Sequence, residues 1–366
     1  MQRRFLFLAM GALATAAPVV FAFESIYNLQ NAPITATIDA GKGVLVAGKP
    51  VIVKLTFTNN STTRQKLDAS NTTSAGIYFS KPGSTEKPAN SSAPSAEVPY
   101  EIPAGGSLTC VVDISEKVAE HAGKLDTADL VFDHNGIMSA RVPVELVEDL
   151  SKTLAVFNTT KGTMKFKFDV ERAPLASRNF ARHIAMGTFT GTHFHRVIKD
   201  FMAQGGDPNS KDPNAPNLGT GGGTYNKKPL RAEISDVKHV RGTLSMARSG
   251  DPAFNALQQF LAQQLSREFA TQPDGQKKLQ QAVNQIVKEG VIKERSVFLD
   301  SGGSQFFLCF KNVEHLDGNY TAFGQMVEGD AVLTELEKAA PAVAGTNGDK
   351  PMTPLKIESA TLEIVK

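Results

Sequence analysis

Residues 194–207 read Phe-His-Arg-Val-Ile-Lys-Asp-Phe-Met-Ala-Gln-Gly-Gly-Asp. Two short apolar runs flank Lys199-Asp200, which predicts adjacent strands over 192–198 and 201–204 joined by a turn. Side chains alternate across a strand, so Phe194 and Arg196 share one face, and Met202 and Gln204 share another. An Arg, a Gln, a Phe and a Met thus come together with no acid, base or thiol among them. That set is unsuited to hydrolysis and suited to gripping an apolar, uncharged backbone. Other chemistries lack their marks. His193-x-His195 would set two imidazoles on one strand face, but no third ligand stands at useful spacing, so no metal is expected. The glycine run Gly219-Thr220-Gly221-Gly222-Gly223 lacks the Gly-Lys-Ser/Thr of a phosphate loop and does not fit Gly-x-Gly-x-x-Gly. Ser304 is outside any Gly-x-Ser-x-Gly elbow.

This stretch resembles the signature segment of the cyclophilins, the cyclosporin-binding peptidyl-prolyl isomerases. Two further blocks match that family in the same order: Gly303-Ser304-Gln305-Phe306-Phe307-Leu308-Cys309, and Leu316-Asp317-Gly318 followed by Ala322-Phe323-Gly324. The resemblance covers about residues 153–366 and implies rotation about X-Pro bonds. That reaction breaks no covalent bond, so it requires no nucleophile, metal or cofactor, only preferential grip on the twisted amide. By resemblance Arg196 and Gln204 are the catalytic pair. The guanidinium, always charged and rigidly forked, is directed at the prolyl carbonyl and ring nitrogen. Phe201, Met202, Phe307 and Leu316 match the apolar cup for the proline ring, Gln305 a second positioning amide, and Ala247 and the glycine run the adjoining groove. Three positions depart from the common pattern: Arg248 replaces an Asn, His315 stands where many members have Trp, and Tyr320 where many have His. His315 and Tyr320 still fall at the rim of the substrate site, but the missing Trp weakens the cyclosporin binding that the family implies. The expected partners are proline-containing peptides and unfolded client proteins. The alternative is a proline-peptide-binding chaperone or scaffold with little turnover.

The elements that must position these residues follow from periodicity. Leu154-Ala155-Val156-Phe157 and 164–168 flank Thr159-Thr160-Lys161-Gly162 as a hairpin. A helix begins near Pro174 with Leu175, Phe180 and Ile184 inward. Strands are expected at 244–246, 306–310, 321–324 and 355–365, and a second helix at 332–339. Strands with two helices and no βαβ repeat suggest a closed barrel capped by helices. Between Ala247 and Gly303, where family members carry a short loop, 55 residues (248 to 302) intervene. Leu257, Phe260, Leu261 and Leu265 recur at helical spacing, as do Leu279, Val283, Ile286, Val287 and Val291, and Thr271-Gln272-Pro273-Asp274-Gly275 separates them. A helical hairpin over about 251–300 is expected, its stripes either packed on each other and the barrel or used as a client-binding or dimerising arm.

Upstream, residues 23–150 alternate in the manner of half-buried strands, as at Val51, Val53, Leu55 and Phe57 and again at Leu108, Cys110, Val112 and Ile114. Further strands are expected at 34–38, 77–79, 130–132 and 140–146. Their spacing and turn clusters suggest an immunoglobulin-like sandwich. Residues 80–99, rich in Ser, Pro, Ala and Lys, read as an exposed loop, and Asp133-His134-Asn135-Gly136 as a hairpin turn. Asn59, Asn60, Asn71 and Asn90 each begin an Asn-x-Ser/Thr sequon.

Residues 1–22 form a basic start and an apolar run ending in small residues, which predicts an export signal and hence a periplasmic or secreted protein. Cleavage is favoured over retention as an anchor. No later segment is expected to span a membrane. The whole chain is 41% hydrophobic and 21% charged with a net charge of +2, ordinary soluble composition that gives no reason to expect nucleic-acid binding. Cys110 and Cys309, placed in different domains, are expected to remain free thiols.

Overall fold

The computed structural model describes residues 32–84, 99–269, 271–272, 274–288, 294–343, 345 and 349–365. The export-signal stretch, most of the 80–99 loop with Asn90, and Pro273 and Val291 of the insert lie outside the described residues. The chain divides into two compact units, Met1–Glu148 and Asp149–Lys366.

The first unit contains β1 (Ile34–Asp39), β2 (Val44–Val46), β3 (Ile52–Asn59), β4 (Gln65–Leu67), β5 (Ile77–Ser80), β6 (Tyr100–Ile102), β7 (Ser107–Asp113), β8 (Thr127–His134), β9 (Ile137–Met138) and β10 (Val142–Val147). One sheet has the order β1-β3-β7, a second β2-β10-β8-β5 with β9 on β8, and β4 and β6 form a ribbon. The β2–β10 pairing is parallel. Period-two alternation in β3 sends Val53, Leu55 and Phe57 fully inward. They share one core with Leu130 and Phe132 of β8, and the Phe57 and Phe132 rings meet edge-on at 5.3 Å. The β8–β9 turn is made by Asn135 and Gly136, both at positive φ (49° and 78°), as a tight hairpin demands. A short helix, α1 (Ser115–His121), was not legible as a periodic segment; it spans about two turns and buries only Val118. Asn59 and Asn71 are buried, and Asn59 Nδ2 donates to the carbonyls of Thr63, Ile102 and Pro103. Neither is therefore an accessible glycan acceptor in the folded unit.

The second unit contains β11 (Thr153–Thr159), β12 (Gly162–Phe168), β13 (Arg196–Ile198), β14 (Met202–Gly205), β15 (Thr243–Met246), β16 (Phe306–Cys309), β17 (Ala322–Glu328) and β18 (Ile357–Ile364). They form one mainly antiparallel sheet of order β13-β14-β16-β15-β17-β12-β11-β18. The strand expected over 192–198 is shorter. Residues 191–194 instead bond to the start of β18, through Gly191 N–H to Ile357 O (2.7 Å), Ile357 N–H to Thr192 O (2.8 Å) and Phe194 N–H to Leu355 O (3.1 Å). These bonds link the two ends of the sheet order, so the unpaired edge that each end strand would present is partly satisfied.

Helix α2 (Pro174–Ala185) begins with Pro at its first turn and a residue, Ala173, that offers no side-chain cap. The Glu233 carboxylate supplies the cap from a distant loop, accepting from Leu175 N–H (3.0 Å) and Ala176 N–H (2.9 Å). Its inner face drives Phe180 into an aromatic core with Phe157, Phe189, Phe306 and Phe323, ring centroids 4.9 to 5.8 Å apart. The insert forms α3 (Pro252–Phe269), α4 (Gly275–Lys288) and α5 (Ser296–Leu299), and α6 (Asp330–Lys338) follows β17. α3 and α4 pack on each other, and Val283 is buried. Leu257 and Phe260, however, are 41% and 55% exposed, so half of the α3 stripe is uncovered. Among the described residues no helix is long and apolar enough to cross a membrane.

Candidate functional site

The β13–β14 hairpin sets Arg196 directly opposite Gln204 and Ile198 opposite Met202. Asp200 adopts φ 56° in the intervening turn, and its N–H donates to Glu337 Oε1 of α6 (3.0 Å). β14 in turn pairs Gln204 with Phe307 of β16 and Met202 with Cys309. Directly paired residues of neighbouring strands share a face, so Arg196, Gln204 and Phe307 form one row across three strands. A short turn at Glu314–Leu316 and the chain after it bring Leu316 and Tyr320 up beside that row. The result is a cavity of about 120 Å³ lined by Arg196, Phe201, Met202, Gln204, Ala247, Arg248, Phe307, Leu316 and Tyr320.

Each wall has a physical anchor. Arg196 Nε donates to Asp349 Oδ2 at 3.3 Å; the side chain is 40% exposed while Asp349 is 10% exposed. Its terminal nitrogens make no hydrogen bond among the described residues, leaving a fork of donors at the cavity. Gln204 Nε2 donates to Gln305 Oε1 (2.8 Å), and Gln305 Nε2 donates to the carbonyls of Gly219 (2.9 Å) and Gly221 (2.7 Å). The glycine run thus closes against the Arg196 strand through two amides. A Cβ on Gly222, at φ 91°, would strike Ser304 Oγ, so this close approach needs glycine. Phe307 is held between Tyr320, edge-on at 5.6 Å, and His239, stacked at 6.0 Å. His239 lies between Asp317 Oδ1 (3.2 Å) and Ser245 Oγ (3.0 Å), and burial pushes its imidazole pKa down despite the Asp317 partner.

The electrostatics agree with a gripping site. Burial pushes the Cys309 thiol, in the cluster beneath the pocket, up to about 12, so it stays protonated. Burial also raises the Asp317 carboxyl, but hydrogen bonds from His239 and Lys238 outweigh it and the net shift is downward. Among the described residues no nucleophile paired with a base lines the cavity.

Of the residues expected from sequence, Gln305 and His315 do not line the cavity. Gln305 stands behind Gln204, and His315 lies against the Phe201 ring at 5.4 Å with its pKa lowered by burial. The His193-x-His195 pair precedes β13 and is not on a strand face. His193 Nδ1 donates to Ser210 O (2.7 Å), and His195 is buried with neither ring nitrogen hydrogen-bonded among the described residues. No group of three or more His, Cys, Asp or Glu able to hold a metal occurs among the described residues. Sequence reasoning missed Asp349, 153 positions from Arg196, and Glu294, which grips Arg248. Nothing in local spacing marks either, because both partnerships are made only by the fold.

The family model of cyclophilin type peptidyl-prolyl cis-trans isomerases matches residues 154–277 and 287–362, all within the second unit. A peptidyl-prolyl cis-trans isomerase of Helicobacter pylori is 31% identical over 195 residues, 52% of this chain and 85% of that protein. The Arabidopsis thaliana peptidyl-prolyl cis-trans isomerase CYP18-1 is 29% identical over 207 residues, 56% of this chain and 92% of that protein. A solved cyclophilin type isomerase of Cryptosporidium parvum, crystallised in the presence of the dipeptide Ala-Pro, aligns with 58% of this chain and 99% of its own at 25% identity and a TM-score of 0.39.

Proposed function

The chain belongs to the cyclophilin-type peptidyl-prolyl cis-trans isomerases, and we propose that it turns X-Pro bonds over in the cavity headed by Arg196. The observation that carries this reading is the row Arg196–Gln204–Phe307 across β13, β14 and β16. It sets a forked cation beside an apolar cup of the right kind for a proline ring. Rotation about C–N removes amide resonance and returns the lone pair to the prolyl nitrogen. A donor fork already fixed by Asp349 can meet the carbonyl oxygen and that nitrogen in the twisted state without reorganising. Phe201, Met202, Phe307 and Leu316 hold the ring while the preceding residue turns, Gln204 orients the peptide, and Gln305 holds Gln204 from behind. No residue of α3 or α4 lines the cavity among the described residues, which favours turnover over a merely capped, binding-only module.

The wider role we assign is assistance to folding of exported proteins, with unfolded proline-containing clients as substrates. Its support is the basic and apolar run at 1–22. We take residues 151–366 as the isomerase domain and the sheet as a closed barrel, on the bonds joining 191–194 to β18. Residues 23–150 are read as an immunoglobulin-like accessory sandwich, on the core shared by its two sheets. Cyclosporin affinity is expected to be weak, since His315 is occupied against Phe201.

The test is catalysed cis-to-trans conversion of a short X-Pro peptide by wild type and Arg196→Ala. The expected outcome is acceleration that falls at least about tenfold in the variant, about 1.4 kcal/mol of transition-state stabilisation. A wild-type rate equal to the uncatalysed one would sink the proposal.

A further inference from the structure

The insert leaves the sheet after Ala247 and returns at Glu294, and two charge pairs close its neck. Asp251 accepts from Arg295 Nη2 (2.8 Å), Nε (3.0 Å) and backbone N–H (3.2 Å). Arg248 donates Nη1 and Nη2 to the two oxygens of Glu294 at 2.8 and 2.7 Å, a two-pronged grip. The first pair leaves Arg295 mostly exposed, but the second is desolvated on both sides, with Arg248 7% and Glu294 10% exposed.

The Arg248 guanidinium carbon lies over the Tyr320 ring, 4.5 Å from its centroid, and Tyr320 meets Phe307 edge-on. Arg248 and Tyr320 both line the cavity that contains Arg196. A run of contacts therefore leads from Glu294, contributed by the returning arm of the insert, through Arg248 and Tyr320 to Phe307. Its Arg248 member is conditional. A buried guanidinium stripped of its carboxylate is strongly unfavourable, so Arg248 cannot hold this pose without Glu294. Among the described residues its other polar contacts are the carbonyls of Asn319 (3.3 Å) and Ser249 (3.5 Å), and its Nε has no partner there.

We propose that Glu294 is a positioning residue for the isomerase reaction, which holds Arg248 against Tyr320 so that the insert supplies one charge-compensated wall of the proline pocket and sets which X-Pro segments enter. This rests on the isomerase reading above. With Glu294 ionised, the wall carries paired charges of opposite sign and does not discriminate by charge. With Glu294 neutralised, Arg248 is released from its place on Tyr320 and carries an uncompensated cation at the pocket rim. Segments with an acidic residue next to proline then gain over those with a basic one.

The experiment compares wild type, Glu294→Gln, Glu294→Asp, Arg248→Ala and the Arg248→Ala/Glu294→Gln double variant, with thermal unfolding recorded for each. Two readouts are taken on neutral, acidic-flanked and basic-flanked X-Pro peptides: kcat and KM by exchange spectroscopy, and equilibrium binding of the peptides. Glu294→Gln is expected to raise KM for the neutral peptide about tenfold while changing kcat less, the pattern of lost binding rather than lost chemistry. It should also shift the acidic-to-basic preference towards acid, and Glu294→Asp should restore most of both. In the Arg248→Ala background the same change at Glu294 should have no further effect. A folded Glu294→Gln protein with wild-type KM and preference overturns the proposal, as does an equal effect of Glu294→Gln with Arg248 absent. If Glu294→Gln unfolds, Arg248→Ala decides: a folded Arg248→Ala protein with wild-type KM and preference overturns it. A wild type that binds the peptides but does not accelerate conversion defeats the isomerase reading instead, and the binding preferences then judge the Glu294 assignment separately.

Discussion

Arg196 is pinned through one nitrogen to Asp349 and is otherwise open to the cavity, a balance of fixed direction and available donors. Neighbouring positions divide labour just as sharply. Phe306 and Phe307 are consecutive in β16, so they point to opposite faces. Phe306 meets Phe157, Phe180, Phe189 and Phe194 in the aromatic core, whereas Phe307 meets Tyr320 and His239 at the pocket. Phe306→Ala should therefore cost about 3–5 kcal/mol of stability, read from denaturant midpoints. Phe307→Ala should lose at least about tenfold in kcat/KM with a smaller loss of stability. Equal stability losses with equal catalytic losses would contradict the two-face assignment.

Among elements, the insert is held at its neck by charge pairs. α3 contributes no fully buried residue, while the neck carries the Arg248–Glu294 and Asp251–Arg295 pairs. The Arg295 side chain bonded to Asp251 is the main reason its carboxyl is held well below the ordinary value of 3.8. A carboxyl whose pKa is lowered on folding stabilises the fold above its unfolded value, and that contribution is lost as pH falls through the lowered value. Comparing thermal midpoints of wild type and Asp251→Asn, the difference should be constant at neutral to mildly acidic pH and shrink below 3.8. A difference that already closes well above that pH would show that the clasp does not form.

At the scale of the whole chain, every residue lining the cavity and every partner that fixes it belongs to the Asp149–Lys366 unit. A chain starting at Asp149 should thus fold and keep kcat/KM within about threefold of the full protein, since a unit with its own core and site behaves as a domain. A much larger loss would assign the Met1–Glu148 unit a part in catalysis.

How much of this was legible beforehand divides along sequence distance. The β11–β12 hairpin, α2 and the β13–β14 turn could be read from the chain, because periodicity and turn chemistry act over a few residues; the pocket assignments rested on the family resemblance, and of them Gln305 and His315 do not line the cavity. The N-terminal edge of β13 could not, since residues 191–194 are claimed by β18 from the far end of the unit. The exposure of Leu257 and Phe260 was equally hidden, because a stripe shows which face is apolar and not whether anything covers it. Motif order and local pattern along the chain were enough for the family and the mainly β character. The contacts of Asp349 with Arg196, of Gln305 with the glycine run and Gln204, and of Glu294 with Arg248 were set by the fold alone. Hydrogen bonds and charge pairs between residues dozens to hundreds of positions apart leave no local periodicity, and they exist only once the sheet has brought their strands and loops together.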